Sequence, residues 1–96
     1  MATYVMLFHF TEHGFSDIKD SPKRIKEAKQ IVTDAGGRVL NLFLMLGRYD
    51  VMWLIEAPSD EVIARISLQF SSKGSTRAET LRAFTESEYM DILNKV

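Results

Sequence analysis

The chain has 96 residues, no cysteine and a formal net charge of −1, with 46% hydrophobic and 26% charged residues. This composition is ordinary for one small globular domain; it excludes disulfides, thiolate metal sites and cysteine nucleophiles, and it gives no electrostatic basis for nucleic-acid binding. No apolar run approaches the roughly 20 residues of a membrane helix, so we expect a soluble cytoplasmic protein with no membrane partner.

The first predicted element is a β-strand over residues 3–10. One face of this strand carries Tyr4, Met6, Phe8 and Phe10, and the other carries Val5, Leu7 and His9. Both of its faces are largely apolar, which predicts a central position in the sheet. Residues 11–20 form a polar connection with room for a short helical turn. Ser21 is then expected to be the N-cap of a helix, with Pro22 at the first helical position, where its missing N–H matters least.

This first long helix is expected to end near Ala35, because two glycines follow and a left-handed C-cap favours glycine. Its apolar residues recur at helical spacing, which predicts one buried stripe. The positions of this stripe are Ile25, Ala28, Val32 and Ala35, with Ile31 at its margin.

Residues 40–57 predict a hairpin of two strands that meet at the turn 47–50. If Leu46 lies opposite Val51, one face of the pair is fully apolar and carries Leu40, Leu42, Leu44, Leu46, Val51, Trp53, Ile55 and Ala57. The other face then collects Val39, Phe43, Met45, Met52 and Leu54, with Asn41 and Glu56 paired across the strands. A sheet with one solvated face would alternate apolar and polar residues, so this pattern predicts covers on both faces.

The remaining elements are a helix, a strand and a final helix. Pro58 stops the hairpin, Ser59 or Asp60 caps the helix, and Lys73 and Gly74 suit its C-terminus. The charged residues of the strand over residues 76–84 predict an edge position. The helix after Pro58 offers four residues to the core: Val62, Ile63, Ile66 and Phe70. The final helix carries the apolar residues Tyr89, Ile92, Leu93 and Val96. Thr85 and Glu88 form a capping-box pattern for that final helix.

The predicted fold is α+β, a ferredoxin-like βαββαβ arrangement with a C-terminal helix. Right-handed crossovers place both main helices on one face of a four-stranded antiparallel sheet. The other face would expose a contiguous apolar area, which monomers rarely do beyond a few hundred Å². We therefore expect a second copy of the chain to cover that face, forming a dimeric α/β barrel or a larger homo-oligomer.

Five short motifs, spread over nearly the whole chain, resemble the GYD-domain family. They are MATY at residues 1–4, SPKR at 21–24, GRYD at 47–50, EAP at 56–58 and TLRAFT at 80–85. Gly47, Tyr49 and Asp50 are taken as the namesake residues, with Arg48 inserted among them. The resemblance implies a ferredoxin-like dimeric α/β barrel and no firmly established activity, so it supplies no catalytic residues.

Three side chains are catalytic candidates from the residues themselves. His9 and Glu56 could share a cavity, where a buried carboxylate would have a raised pKa suited to proton transfer, and Tyr49 would present a hydroxyl at the barrel mouth. The ligand-binding candidates are Asn41, Arg48, Asp50 and Met52. The alternatives are structural: Gly47 and Asp50 suit an ordinary hairpin turn, and Glu56 can be solvated or paired with Arg77 or Arg82.

No metal site is expected. His9 and His13 are four residues apart, but that spacing brings two histidines together only on a helix, and no further ligands complete a tetrahedral site. The lysines and arginines of the first long helix alternate with acidic residues, which is typical of a solvated face rather than a nucleic-acid footprint.

Two functions of different classes follow from this pattern. The first is a non-enzymatic homo-oligomer that binds a small apolar or aromatic ligand between the sheet and its partner. The second is a cofactor-independent enzyme, monooxygenase- or isomerase-like, that uses the barrel cavity. A regulatory ligand-sensing domain is a third hypothesis, but the chain carries no DNA-binding segment. No cofactor is expected in any of these cases.

Overall fold

The computed structural model describes residues 1–96 and contains four β-strands and four α-helices. In chain order these are β1 (Ala2–Phe10), α1 (Glu12–Ser16), α2 (Ser21–Asp34), β2 (Arg38–Leu44), β3 (Val51–Ala57), α3 (Asp60–Ser72), β4 (Thr76–Ala83) and α4 (Glu86–Leu93). A 3₁₀ turn, Ile18–Asp20, joins α1 to α2. The predicted polar connection therefore contains two short helical pieces.

The four strands form one antiparallel sheet in the order β2-β3-β1-β4. This arrangement confirms the predicted ferredoxin-like order, the central position of β1 and the edge position of β4. The protein has no helix that is both long enough and apolar enough to cross a bilayer.

The hydrophobic core lies between one face of the sheet and the helices α2 and α3. Alternate residues of the central strands supply the sheet side, because successive side chains of a strand point to opposite faces. The core residues are Tyr4, Met6, Phe8, Trp53, Ile55 and Ala57 from the strands, and Val32, Ile63, Ile66 and Phe70 from the helices. The predicted helix faces are thus confirmed, with Val32 as the one fully buried position of α2.

The register of β2 differs from the prediction because a β-bulge interrupts it. Val39 lies opposite Ile55 and Asn41 lies opposite Leu54, so Leu40 is an extra residue without a partner. An extra residue interrupts the alternation of side chains, so Val39 before the bulge and Asn41 after it point to opposite faces of the sheet. Val39 consequently packs against the core, and its predicted place on the other face was wrong.

Two further predicted pairings differ, because the loop between β2 and β3 begins after Leu44 and is longer than predicted, and because the bulge shifts the pairs beyond it by one more residue. Glu56 lies opposite Arg38, not Asn41, and Leu44, not Leu46, lies opposite Val51. Leu46 therefore belongs to the loop that joins β2 to β3, where its side chain is 96% exposed. The prediction of two uninterrupted apolar stripes holds for β3 but not for β2.

The helix starts confirm two of the three predicted N-caps. The Ser59 hydroxyl accepts a hydrogen bond from the Val62 N–H, and Thr85 forms a complete capping box with Glu88. Ser21 is not the N-cap of α2 but its first residue, since the chain already turns through Asp20 in the preceding 3₁₀ segment. The Ser21 hydroxyl instead accepts a hydrogen bond from Arg24.

A buried tyrosine fastens α3 to the central strand. The Tyr4 hydroxyl donates a hydrogen bond to Asp60 Oδ1 at 2.5 Å, and the Arg82 guanidinium lies 5.6 Å from the centre of the Tyr4 ring. Burial first, and the hydrogen bond to Asp60 second, raise the pKa of Tyr4 to about 12 from its usual 10.0. The hydroxyl is therefore held in its protonated, donating form.

This raised pKa predicts a loss of stability at alkaline pH. Tyrosine in the unfolded chain ionises near pH 10, before Tyr4 in the folded chain, so its contribution is complete below about pH 10 and declines as the pH rises towards 12. We expect Tyr4→Phe to lower the free energy of unfolding at pH 8 and to flatten its decline above pH 10. Urea denaturation at a series of pH values measures both effects. Identical alkaline slopes for the two proteins would contradict this role of Tyr4.

Candidate functional site

The loop between β2 and β3 is tied to the end of β1 by Asp50. Its carboxylate accepts a hydrogen bond from the Phe10 N–H at 2.9 Å, and its own N–H donates to the Phe8 carbonyl at 2.8 Å. Its carbonyl accepts from the Met45 N–H, also at 2.8 Å. Gly47 has a φ of 108°, which other residues rarely adopt, so it permits the sharp turn. The loop is thus held at three points by one residue.

Tyr49 in the same loop lies over the end of the sheet. Its ring is stacked 4.8 Å from the ring of His9, and its hydroxyl donates a hydrogen bond to Glu79 of β4. This hydrogen bond is the main reason why the pKa of Tyr49 is raised. We call His9, Tyr49 and Glu79 the loop-end cluster. Two of its members, His9 and Tyr49, are predicted catalytic candidates, and Glu79 was missed.

Glu56 does not belong to this cluster. It lies opposite Thr3, at the other end of β1 from His9. Because a strand rises about 3.3 Å per residue, Thr3 and His9 are roughly 20 Å apart along β1. Its carboxylate forms an ion pair with Arg38 at 2.6 Å. The structure therefore does not place His9 and Glu56 in one cavity, and the partner of Glu56 is Arg38 rather than Arg77 or Arg82, the alternatives considered from the sequence.

The four ligand-binding candidates are also dispersed. Asn41 is exposed beside Leu54 on the edge strand, Arg48 is exposed in the loop, and Met52 lies opposite Leu7 and Phe43. Asp50 is engaged with the backbone of β1, as described above. Arg48 and Asp50 share the loop while Asn41 and Met52 lie on neighbouring strands, so the four do not form one site, and their binding roles stay predictions.

What the strands do bring together is the sheet face that carries no helix, which we call the open face. His9 and Glu56 stand near its two ends. Its centre is apolar. In β1 and β3 every second side chain points into the core, and the apolar side chains in between point to the open face. These central residues are Val5, Leu7, Met52 and Leu54, flanked by Phe43 and Leu81, which are 49% and 44% exposed.

The sequence model of the GYD domain matches residues 4–93 of the chain. The chain belongs to the GYD domain family. A curated relative of this GYD protein, from Thermus thermophilus, is 36% identical over 84 residues, which are 86% of this chain and 88% of the relative. That relative is named a glutamine synthetase and cystathionine beta-lyase binding protein.

Two solved structures share the fold of this GYD protein. The crystal structure of TTHA0845, also from Thermus thermophilus, has a TM-score of 0.57 at 21% identity, over 88% of this chain and 95% of the other. The crystal structure of FFRP-DM1 has a TM-score of 0.62 at 13% identity, over 88% and 100% of the two chains. At these identities the likeness concerns the fold alone.

For this GYD protein we expect Asp50→Ala to lower the free energy of unfolding by about 1–3 kcal/mol, because the Phe10 N–H loses its charged acceptor. Asp50→Asn should recover part of this loss, since its amide oxygen still accepts a hydrogen bond. Arg48→Ala, in the same loop but exposed, is the matched control and should leave stability unchanged. Urea denaturation measures all three, and equal stabilities of the Asp50→Ala and Arg48→Ala variants would contradict the anchoring role.

Proposed function

We propose that this GYD protein is a non-enzymatic protein-binding module, and that its working unit is a pair of chains joined through their open faces. The observation that carries the proposal is the apolar centre of the open face, which no helix of the chain covers. Burying apolar surface is favourable by about 25 cal/mol per Å², so pairing is favoured because it removes the open face from water. Two sheets packed in this way form the dimeric α/β barrel expected from the sequence.

The size of the open face supports a second copy that also engages α4. Four strands of seven to nine residues give a sheet footprint of about 400 Å² from the usual strand dimensions. A standard interface removes about 800 Å² of accessible surface from each partner. In this proposal α4 supplies further area, because few contacts join it to the rest of the chain and its apolar side chains are exposed. These side chains are Tyr89, Met90, Ile92 and Leu93.

The charges around the open face support self-complementarity. Arg38 and Glu56 lie at the β2 side, and Arg77 and Glu79 lie at the β4 side, so both signs occur at both edges. In a two-fold pair each edge meets a copy of the same surface, and a single-sign rim would repel itself. A rim of mixed charge permits the pairing.

The protein-binding part of the proposal rests on the name of the Thermus relative and on the loop between β2 and β3. In this chain Leu46 is 96% exposed on a loop that Asp50 holds in place, and Leu44, the last residue of β2 beside that loop, is 78% exposed. A fixed loop presents an apolar side chain at little entropic cost on binding. We propose that this loop contacts another protein and that glutamine synthetase and cystathionine β-lyase are the first candidates.

Catalysis receives less support than binding. Glu56 is engaged with Arg38, far from His9, and neither cavity of the chain opens on the open face. His9 and Tyr49 remain the residues on which a cofactor-independent reaction would depend. The proposed module includes no small ligand between the sheet and its partner.

Sedimentation equilibrium of the intact chain tests the pairing, with the mass of two chains expected at micromolar concentration. Co-sedimentation with purified glutamine synthetase or cystathionine β-lyase tests the protein binding. Leu46→Asp should abolish co-sedimentation without changing the mass of the pair, whereas Leu68→Asp, on the exposed side of α3, should change neither. A stable single chain contradicts the pairing, and absence of binding to both enzymes contradicts the proposed partners.

A further inference from the structure

A cavity of about 110 Å³ lies on the helix side of the sheet, away from the open face. Three mutually contacting aromatic rings form part of its wall: Phe8 and Trp53 are 5.7 Å apart, Phe8 and Phe70 6.0 Å, and Trp53 and Phe70 5.8 Å between centroids. An apolar cavity of about 150 Å³ is known to accept benzene. At about 110 Å³ this cavity is smaller, so it takes at most one ring or a short alkyl chain.

The polar side chains that line this cavity are hydroxyls and cations. Ser21, Ser75 and Thr76 supply the hydroxyls, and Arg24 and Lys73 supply the positive charges. No aspartate or glutamate lines it. An apolar wall with a few convergent polar groups is the usual composition of a small-molecule site. The charge of these groups favours an anionic ligand.

Arg24 is held in place without being neutralised. Its guanidinium donates to the Asp17 carbonyl at 2.8 Å, to the Ser21 hydroxyl at 3.2 Å and to the Gly14 carbonyl at 3.4 Å. These acceptors carry no formal charge, and both ion pairs of the chain involve other residues. Three of the five N–H donors of an arginine are thus used for positioning, which leaves donors and the full charge for a ligand.

We propose that this cavity binds a small apolar carboxylate, with its ring or alkyl chain against the aromatic wall and its carboxylate on Arg24. Hydrogen bonds between a guanidinium and a carboxylate are charge-assisted and about twice as strong as neutral ones. An α-amino acid fits less well, because the lining offers no carboxylate to its ammonium group. The site does not depend on pairing through the open face, which lies on the other side of the sheet.

Trp53 is the only tryptophan of the chain and part of the cavity wall, so its fluorescence reports binding. The intact protein is titrated with phenylacetate, with phenylacetamide as the neutral analogue and with phenylalanine as the amino acid. We expect phenylacetate to change the emission saturably and both other compounds to bind at least about tenfold more weakly. Phenylacetamide loses the charged hydrogen bond to Arg24, and phenylalanine places an ammonium group where the lining offers it no carboxylate.

Two variants assign the recognition to this cavity. Arg24→Gln should weaken phenylacetate binding by at least about tenfold and leave phenylacetamide binding unchanged, whereas Lys26→Gln, exposed on the same helix, should change neither. Ala28→Leu fills the cavity from α2 and should abolish binding of both compounds while leaving Arg24 intact. Circular dichroism confirms that each variant is folded.

The proposal is overturned by any of three results. These are no saturable change with phenylacetate, equal affinities for phenylacetate and phenylacetamide, or binding to the Ala28→Leu variant as tight as to the wild type. Should Arg24→Gln fail to fold, the comparison of the two compounds and the Ala28→Leu variant still decide the outcome.

Discussion

Replacing Leu54 with glutamate is expected to raise the dissociation constant of the proposed pair by at least about a hundredfold while the single chain stays folded. Leu54 lies on a central strand, opposite Val5 on one side and Asn41 on the other, in the middle of the open face. In the single chain its carboxylate would reach water, because the open face has no cover. In the pair the carboxylate would be buried without a partner, which costs several kcal/mol.

Sedimentation velocity over a concentration series measures this change, and circular dichroism checks the fold. Leu68→Glu is the matched control, since Leu68 is a leucine on α3 that is 71% exposed and lies away from the open face. We expect the control to sediment as the wild type does. A folded Leu54→Glu protein that still pairs normally would show that the chains associate through another surface.

Replacing Gly14 with alanine is expected to lower the free energy of unfolding by about 2–3 kcal/mol, because of steric overlap. A Cβ atom at this position would overlap the Ser75 carbonyl oxygen, a backbone atom that cannot move without the adjoining strand. The same region is fixed by Thr11, whose N–H donates to the Ser75 carbonyl and whose hydroxyl donates to the Gly74 carbonyl. The overlap therefore forces α1 away from β4.

Thermal and urea denaturation measure the loss. His13→Ala is the control, because His13 is the neighbouring residue of α1 and its side chain is 63% exposed. We also expect Gly14→Ala to weaken phenylacetate binding, since the Gly14 carbonyl is one of the acceptors that hold Arg24. A variant as stable as the wild type would mean that α1 relaxes at no cost.

Much of the fold was predictable because the residues that start or stop helices and strands lie where the spacing of the hydrophobic residues also places the boundaries. Pro58, Ser59 and the Thr85–Glu88 box mark their boundaries by chemistry that depends on neighbours in sequence. The register of β2 was not predictable, because neither the bulge at Leu40 nor the point where pairing ends, at Leu44 rather than Leu46, leaves a local signal in the sequence. Ser21 failed as a cap for a similar reason: the preceding 3₁₀ turn had already brought the chain into helical geometry.

The candidate site was only partly predictable. The stacking of His9 on Tyr49 depends on how the loop folds over β1, and the hydrogen bond of Asp50 to Phe10 joins residues 40 positions apart. Arg24 was assigned to a solvated helix face because its neighbours in sequence are charged. The carbonyls of Gly14 and Asp17 that position its guanidinium belong to the segment before α2, whose folding the sequence pattern did not define.

The bulge at Leu40 has a consequence for how far assembly can proceed. β2 forms one margin of the sheet, and a straight margin with free N–H and C=O groups is a template on which further strands, and eventually fibres, grow. The extra residue kinks that margin and breaks its hydrogen-bonding ladder, although leucines and a phenylalanine surround it. A chain that displays so much apolar surface can thereby form a closed unit without seeding an open-ended polymer.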